Sequence, residues 1–184
     1  MLAPGLADNR AGGTPDNGVL DMGWEFFGEL CRGLALKVAR SGWQPEIIVG
    51  IAKAGVIPGA VVASILRKDF FSLKISRDVE GMTPAARPRI LSAAPKEARG
   101  RRVLIVDEVC TSGETLRMAT NALRQVGPEE IRTATSLVKV GGHRPDFYAL
   151  ETDATAIFPW DRVVVNEDGD IVTNPMYEGL VEIG

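Results

Sequence analysis

The sequence predicts an α/β protein with a central, mainly parallel sheet flanked by helices. Apolar runs of strand length alternate along the chain with segments of helical periodicity, which is the pattern of parallel β-α-β units. Several runs are continuously apolar, as expected for strands buried on both faces. The 184 residues suffice for one domain with a sizeable core, and no repeat or second domain is indicated.

The elements follow from local patterns in chain order. Residues 24–40 carry apolar side chains at helical spacing and end at Ser41-Gly42, which predicts a first long helix. Further helices are predicted over residues 57–66 and from about Glu114 to Val126, before Gly127-Pro128. The predicted strands cover residues 47–51, 70–75, 103–106, 131–140 and 154–158.

Composition and charge exclude several classes of protein. With 21 basic and 24 acidic residues the net charge is -3, so no basic surface for general nucleic-acid binding is expected. Cys31 and Cys110 form no CxxC pair, which favours a reduced, cytoplasmic compartment. The single histidine, His143, argues against a multi-histidine metal site or a Ser-His-Asp triad. The apolar stretch 47–66 contains Lys53 and several glycines, which favours a strand, turn and helix over a membrane span.

Three segments are predicted to lack regular structure. Residues 1–18 are rich in Gly, Pro, Asn and Asp and show no signal peptide, so we expect a disordered tail before a domain at 19–184. Residues 76–100 are polar, contain several prolines and exceed an ordinary connector, which predicts a flexible lid over about 76–95. After residues 163–165 the chain is expected to finish irregularly.

The run that follows the third predicted strand carries the strongest functional signal. It consists of an acidic pair and then a hydroxyl-rich loop: Asp107, Glu108, Thr111, Ser112, Gly113, Glu114 and Thr115. Hydroxyls and backbone amides at a helix N-terminus suit a phosphate, because amide donors and the helix dipole both favour an anion. Two carboxylates suit sugar hydroxyls or a divalent cation. A simple helix cap beside a solvated acidic turn is the alternative, and the combination in one run favours function.

This run, VLIVDEVCTSGETL, resembles the signature with which type I phosphoribosyltransferases bind phosphoribosyl pyrophosphate (PRPP). The resemblance extends over about residues 24–165 and implies that family's fold, with a small hood over the base. It implies that the loop Thr111, Ser112, Gly113, Glu114 and Thr115 binds the 5-phosphate. It further implies that Asp107 and Glu108 are catalytic and hold the ribose hydroxyls, and that PRPP arrives as a Mg²⁺ complex to which Asp107, Glu108 and Asp161 are available as ligands.

A second segment, IVGIAKAGVIPGA, resembles the pyrophosphate loop of the 6-oxopurine members of that family. Its positions are filled by Ala52, Lys53, Ala54 and Gly55. Small residues let pyrophosphate oxygens approach backbone amides, and Lys53 adds a positive charge, which makes it a further catalytic candidate. The family often has a non-proline cis peptide after the basic residue, which predicts one at Ala54. An exposed lysine in a tight turn is the alternative interpretation.

The base pocket is predicted from two shorter likenesses. Lys139 corresponds to a strand lysine that contacts the exocyclic oxygen of guanine, xanthine or hypoxanthine, and Phe158 and Trp160 lie in a segment like that of the xanthine-guanine branch. A surface lysine and packing aromatics are the alternatives. The pattern departs from the 6-oxopurine enzymes at Thr111, where they usually have an aspartate beside N7, and at Thr155, where they usually have a stacking residue.

The resemblance therefore predicts transfer of a phosphoribosyl group from PRPP to a nucleobase, with a 6-oxopurine as the leading substrate. Transfer to another nitrogenous base and a non-catalytic PRPP- or nucleotide-sensing role remain alternatives. Candidates for additional pyrophosphate contacts are Arg77, Arg87, Arg89 and Arg144. Family members commonly form dimers or tetramers, so a homo-oligomer is expected, with neither nucleic-acid nor membrane partners.

Overall fold

A computed structural model describes residues 18–76 and 88–180. The helices in these ranges are α1 (Trp24–Arg40), α2 (Val56–Leu66) and α3 (Glu114–Arg124). The strands are β1 (Val19–Asp21), β2 (Ile47–Ala52), β3 (Asp69–Ser76), β4 (Arg89–Ile90), β5 (Arg102–Cys110), β6 (Glu130–Val138), β7 (Phe147–Glu151), β8 (Thr155–Ile157), β9 (Val163–Val165) and β10 (Ile171–Thr173). Short 3-10 turns occupy Lys96–Ala98 and Pro175–Tyr177.

The main sheet confirms the predicted fold class. Within the described residues it has six strands in the order β4-β3-β2-β5-β6-β7, all parallel except β4 against β3. The strand order reverses between β2 and β5, and the loops after these two strands therefore face each other at the carboxyl edge. In open α/β sheets this switch point is where ligands bind.

Helices cover both faces of the sheet. The buried face of α1 joins α2 and residues of β5 and β6 in one core, as its helical spacing predicted. The second core packs α3 through Leu116, Ala119 and Leu123 against the opposite face. The central strands β2 and β5 contribute to both cores, which explains why their sequences are apolar without alternation.

The short distance between α2 and the sheet depends on small residues. A Cβ on Gly50 would lie 2.8 Å from Phe70 Cζ, and one on Gly59 would lie 2.9 Å from Phe70 Cε2. The aromatic ring thus fills the space that two side chains would need.

The strand that carries the acidic pair is longer than predicted. We expected residues 103–106, with Asp107 and Glu108 after the strand, but β5 runs from Arg102 to Cys110. Its partner β6 pairs with it as far as Val138, and this ladder holds the polar residues in strand geometry. The acidic pair is therefore part of the sheet, where its backbone is held more rigidly than in a loop.

The predicted fifth strand is not a member of the main sheet. Thr155–Ile157 pairs in parallel with Val19–Asp21 in a separate two-stranded sheet, and the main sheet instead ends with Phe147–Glu151. The Asp146 carboxylate accepts bonds from Thr133 N and Oγ1 at 2.7 and 2.8 Å, which aligns β7 beside β6. The pairing of β8 with β1 joins residues far apart in the sequence, so local patterns did not indicate it.

The C-terminal part is also more regular than predicted. β9 and β10 form an antiparallel hairpin instead of an irregular segment. The Asn166 side chain accepts bonds from Asp168 N and Asp170 N, and Gly169 has a φ of 89°, so this turn is built by short-range contacts. Of the predicted tail, residues 1–18, positions 1–17 lie outside the described ranges, and Gly18 O accepts a bond from Thr155 N. Most of the predicted lid, residues 77–87, also lies outside them.

Acid sensitivity of the fold is expected from a cluster near the amino edge of the sheet. Trp43 Nε1 donates to Glu130 Oε2 at 2.7 Å, and Arg132 Nε donates to Glu130 Oε1 at 2.8 Å. These bonds lower the pKa of Glu130, with Arg132 the larger cause. Because the folded-state pKa is depressed, the stabilisation is present above the ordinary glutamate range and is lost as pH falls through the folded-state value. Glu130→Gln should therefore lower the free energy of unfolding at neutral pH and have less effect in acid.

The measurement is chemical denaturation of wild type and Glu130→Gln at neutral pH and below the ordinary glutamate range. Glu97→Gln, at an exposed glutamate, is the matched control. If the free energies of unfolding of wild type and Glu130→Gln differ equally at both pH values, the stabilising role of the ionised Glu130 side chain is contradicted.

Candidate functional site

A cavity of about 420 Å³ lies at the carboxyl edge of the sheet, at the switch point between β2 and β5. It brings together most residues of the two predicted loops: Ala52, Lys53, Ala54, Asp107, Glu108, Thr111, Ser112, Gly113, Glu114 and Thr115. Ile75, Ser76 and Pro88, on either side of the undescribed part of the predicted lid, also line it. Two segments more than fifty positions apart in sequence thus share one cavity.

The acidic pair, Asp107 and Glu108, lines this cavity. Asp107 is only 6% exposed, and its Oδ1 accepts the backbone N–H of Glu108 at 3.0 Å. Burial, together with the neighbouring Glu108 side chain, raises the pKa of Asp107 well above its ordinary value. A nearby cation or hydroxyl donors would favour the charged form. The pair is therefore suited to a sugar diol or a divalent cation.

Gly55 packs directly against Asp107. A Cβ at this position would lie 2.7 Å from Asp107 Oδ1, 2.8 Å from Asp107 Cα and 2.8 Å from Ile51 O. Its backbone lies in the ordinary right-handed helical region, with φ of -65°, so the glycine is required by space and not by conformation. The loop after β2 is thus seated on β5, which fixes its distance from Asp107.

The cis peptide bond lies one position earlier than predicted. It joins Ala52 to Lys53, whereas we expected it after the lysine, at Ala54. The sequence pattern marks the loop but does not distinguish neighbouring peptide bonds. Lys53 is exposed and lines the cavity, and its carbonyl accepts the backbone N–H of Val56 at 3.2 Å as α2 begins.

The hydroxyl-rich loop leads into α3 through Gly113. This residue is the N-cap, with a φ of 73°, and has no side chain to accept the first helical amides. Those amides have no intrahelical acceptor, so they remain suited to an anion. Ser112 Oγ accepts the N–H of Glu114 only at a long 3.4 Å. The cap alternative is therefore the weaker account of this loop.

The turn formed by residues 139–143 packs against the same loop. Lys139 N donates to Cys110 O at 3.0 Å, and His143 N donates to Thr111 O at 2.7 Å. This support is the main feature that sequence reasoning missed. No local signal identifies it, because the contact joins segments some thirty residues apart.

The structure does not bring the predicted base-binding residues into the lining of this cavity. Lys139 Nζ donates to the carbonyls of Asp153, at 3.3 Å, and Ala154. Phe158 and Trp160 stack on each other at 4.6 Å, and Trp160 meets Phe27 of α1 edge-on at 4.8 Å. Packing is thus the observed role of the two aromatics, and base binding stays a prediction for all three residues.

Other charged candidates already have partners. The carboxylate of Asp161 accepts bonds from Tyr177 Oη at 2.6 Å and Asn174 Nδ2 at 3.3 Å, outside the lining of the cavity. Arg144 pairs with both oxygens of Glu151 at 2.8 and 2.9 Å. Arg89 lies in β4, and Arg77 and Arg87 fall outside the described residues.

A metal would depend on the acidic pair. Among the described residues, no group of three or more His, Cys, Asp or Glu side chains is arranged to hold an ion. Mg²⁺ in phosphate chemistry usually takes only one or two protein carboxylates and completes its shell with phosphates and water. Asp107 and Glu108 line the same cavity as the loops suited to phosphate, so they fit Mg²⁺ delivered with a phosphorylated substrate. Asp161 does not line this cavity.

A parallel sheet whose carboxyl edge combines an acidic pair with two loops suited to anions has the arrangement of α/β proteins that bind phosphorylated ligands. The family model for the phosphoribosyl transferase domain matches residues 24–168. The chain belongs to this phosphoribosyltransferase family.

Relatives and solved structures agree with that assignment. The chain is 34% identical over 115 residues to an orotate phosphoribosyltransferase of Bartonella tribocorum, which covers 62% of this chain and 55% of the relative. It is 28% identical over 111 residues to the transcriptional regulator GfcR of Methanococcoides burtonii, covering 60% and 54%. The chain thus spans about half the length of these curated relatives. A purine phosphoribosyltransferase from Pyrococcus horikoshii matches with a TM-score of 0.68 and 25% identity, over 80% of this chain and 97% of that one.

No helix in the described part of the chain is both long and apolar enough to span a bilayer.

Proposed function

We propose that the protein transfers the 5-phosphoribosyl group from PRPP to a nucleobase and releases pyrophosphate. The observation that carries this proposal is the single cavity shared by the Lys53 loop, the acidic pair and the Thr111–Thr115 loop. Each of the three matches one part of PRPP: pyrophosphate, ribose hydroxyls and 5-phosphate. Family membership and relatives named as orotate and purine phosphoribosyltransferases support the same chemistry.

In the proposed reaction a ring nitrogen of the base forms a bond to C1 of the ribose while the bond from C1 to the pyrophosphate oxygen breaks. The proton displaced from the base nitrogen leaves to solvent or to a nearby acceptor. Asp107 and Glu108 hold the ribose hydroxyls, the 111–115 loop holds the 5-phosphate, and Lys53 with nearby backbone amides steadies the leaving pyrophosphate. Mg²⁺ bound with PRPP supplies charge neutralisation of the leaving group, and Asp107 and Glu108 are the residues that would hold it.

A 6-oxopurine is the proposed base, and Lys139 its proposed discriminator. The lysine ammonium would donate to the exocyclic oxygen, and a base with an amino group there would leave that donor unpaired. Thr111 and Thr155 differ from the usual 6-oxopurine pattern, so another nitrogenous base is the nearest alternative. A PRPP-sensing role is a second candidate, favoured by the relative named as a transcriptional regulator.

The experiment is pyrophosphate release from PRPP and Mg²⁺ against guanine, xanthine, hypoxanthine, adenine, orotate and uracil. We expect base-dependent release with at least one 6-oxopurine. Release with adenine or orotate alone would refute the proposed 6-oxopurine substrate but support phosphoribosyl transfer. If no base causes pyrophosphate release while PRPP still binds, the transferase proposal is refuted in favour of the sensing role.

Lys139→Ala should lower kcat/KM for the 6-oxopurine by about tenfold or more, the loss expected for one hydrogen bond from a charged group. The KM for PRPP should stay unchanged, because Lys139 holds the strand end before the 5-phosphate loop through its backbone N–H, which alanine keeps. Steady-state kinetics with each substrate varied in turn measures both values. Lys37→Ala is a matched control, since Lys37 Nζ also donates to two backbone carbonyls, of Tyr148 and Ala149. Equal losses for base and PRPP would mean that Lys139 is only structural.

A further inference from the structure

We propose that the turn formed by residues 139–143 positions the 5-phosphate loop, and that the ring of His143 is the part that holds Gly113 in place. This inference rests on the proposed function, since it assigns a role within the same site. His143 is a positioning residue in this account, because it acts on the loop and does not touch the substrate.

Hydrogen bonds from both ends of the turn hold the start of the loop. Lys139 N donates to Cys110 O at 3.0 Å, and His143 N donates to Thr111 O at 2.7 Å. In return, Cys110 Sγ donates to His143 O at 3.2 Å. The backbone of the strand end is thus fixed on one side of the loop, just before the hydroxyl residues.

Close packing continues the contact beyond these bonds. A Cβ on Gly142 would lie 2.6 Å from Thr111 O, and a Cβ on Gly113 would lie 2.4 Å from His143 Cδ2 and 2.5 Å from His143 Cγ. Two glycines therefore let the turn and the loop approach to a distance that side chains would prevent. The imidazole ring lies directly against the Cα of Gly113.

The His143 ring lies beside a different cavity from the one lined by the acidic pair. Ser112, Gly113 and Glu114 line the cavity at the acidic pair and also a second cavity of about 620 Å³ beside α3. His143 lines only this second cavity. The loop thus borders both cavities, and His143 lines the one that does not contain the acidic pair.

Such support matters because Gly113 has a φ of 73°, and a glycine has little intrinsic preference for one backbone conformation. The amides that would bind the phosphate follow this residue, so their direction depends on how it is held. A ring that restricts Gly113 keeps these donors oriented before the ligand arrives, which reduces the entropy lost on binding.

The test compares two ligands that occupy different parts of the proposed site. Ribose 5-phosphate carries the 5-phosphate, whereas pyrophosphate with Mg²⁺ requires the loop after β2 and the acidic pair but not the 111–115 loop. By titration calorimetry, His143→Ala should weaken ribose 5-phosphate by about tenfold, comparable to the loss of one hydrogen bond to a charged group. Pyrophosphate affinity and the thermal midpoint should stay at wild-type values.

His143→Phe should recover most of the affinity because it restores a planar ring against Gly113. Val140→Ala is the control, as Val140 lies in the same turn and is 54% exposed. A second readout is amide exchange in the ligand-free protein, which should be faster in residues 111–115 of His143→Ala than in wild type.

The outcomes separate this inference from the proposed function. Wild-type affinity and unchanged exchange in His143→Ala would overturn the positioning role while PRPP binding stands. Equal loss of both ligands with a lower thermal midpoint would show a merely structural histidine and also overturn it. A wild-type chain that binds neither PRPP nor ribose 5-phosphate would refute the proposed function and this inference with it.

Discussion

Gly55→Ala should lose PRPP affinity by about a hundredfold, since displacement of a binding group by about 1 Å can cost that much. The added Cβ would meet Asp107 at 2.7 to 2.8 Å and Ile51 O at 2.8 Å. Two of these three contacts are with main-chain atoms of neighbouring strands, which cannot turn away. The loop that carries Lys53 must therefore move from the acidic pair, and the site loses its geometry.

The same clash should lower the free energy of unfolding by about 1–3 kcal/mol, as other overpacked sites do. Calorimetric titration with PRPP and Mg²⁺, under conditions where the variant is fully folded, separates binding from stability. Gly33→Ala is the matched control, because a Cβ at that helical glycine meets nothing within 4 Å. That variant should gain about 0.5–1 kcal/mol of stability and bind PRPP normally. Wild-type affinity in Gly55→Ala would contradict the proposal that the seating of the Lys53 loop on Asp107 sets the geometry of the PRPP site.

Neutralising the acidic pair is the second change with a large expected effect. The double variant Asp107→Asn, Glu108→Gln keeps the shape of both side chains and removes their charge. Two charge-assisted bonds to ribose hydroxyls are worth about 1.5–3 kcal/mol each, so PRPP affinity should fall at least about a hundredfold. Titration with PRPP and Mg²⁺ measures the loss.

The stability of this double variant should not fall in parallel. Burial and Glu108 raise the pKa of Asp107, so the wild-type fold loses stability as pH rises above the ordinary aspartate range. An amide at this position removes that penalty, and the variant should be at least as stable as wild type at neutral pH. Glu167→Gln, Asp168→Asn removes two charges from the exposed β9–β10 turn and is the control. Unchanged PRPP affinity in the acidic-pair variant would exclude Asp107 and Glu108 from the ribose site.

The parts of the fold that depend on local pattern could be predicted from the sequence. Helix α1 has the predicted bounds, because its apolar spacing and its Ser-Gly end both act over a few residues. The pairing of β1 with β8 was missed because its two strands lie far apart in the sequence. The edge strand β7 was missed although it follows β6 directly, since its alignment depends on the hydrogen bonds between Asp146 and Thr133. The apolar run 103–106 marked the start of β5, but its polar end is held by pairing with β6.

The candidate site likewise has features that could be predicted from the sequence and features that could not. The acidic pair and the hydroxyl-rich loop form one contiguous run, so their proximity could be predicted from residue order. The packing of Gly55 on Asp107 and of His143 on Gly113 joins distant segments, and sequence order carries no signal for it. The roles of Lys139, Phe158 and Trp160 stay predictions, because their observed contacts are with protein groups.

The loops after β2 and β5 are proposed to bind the two ends of PRPP. Amide hydrogen exchange of the wild-type protein, with and without PRPP and Mg²⁺, tests this proposal most directly because it reports on the backbone donors themselves. We expect PRPP to slow exchange in residues 52–57 and 111–116 together, and pyrophosphate alone to slow it only in the first segment. Binding of PRPP that protects neither segment would contradict the account.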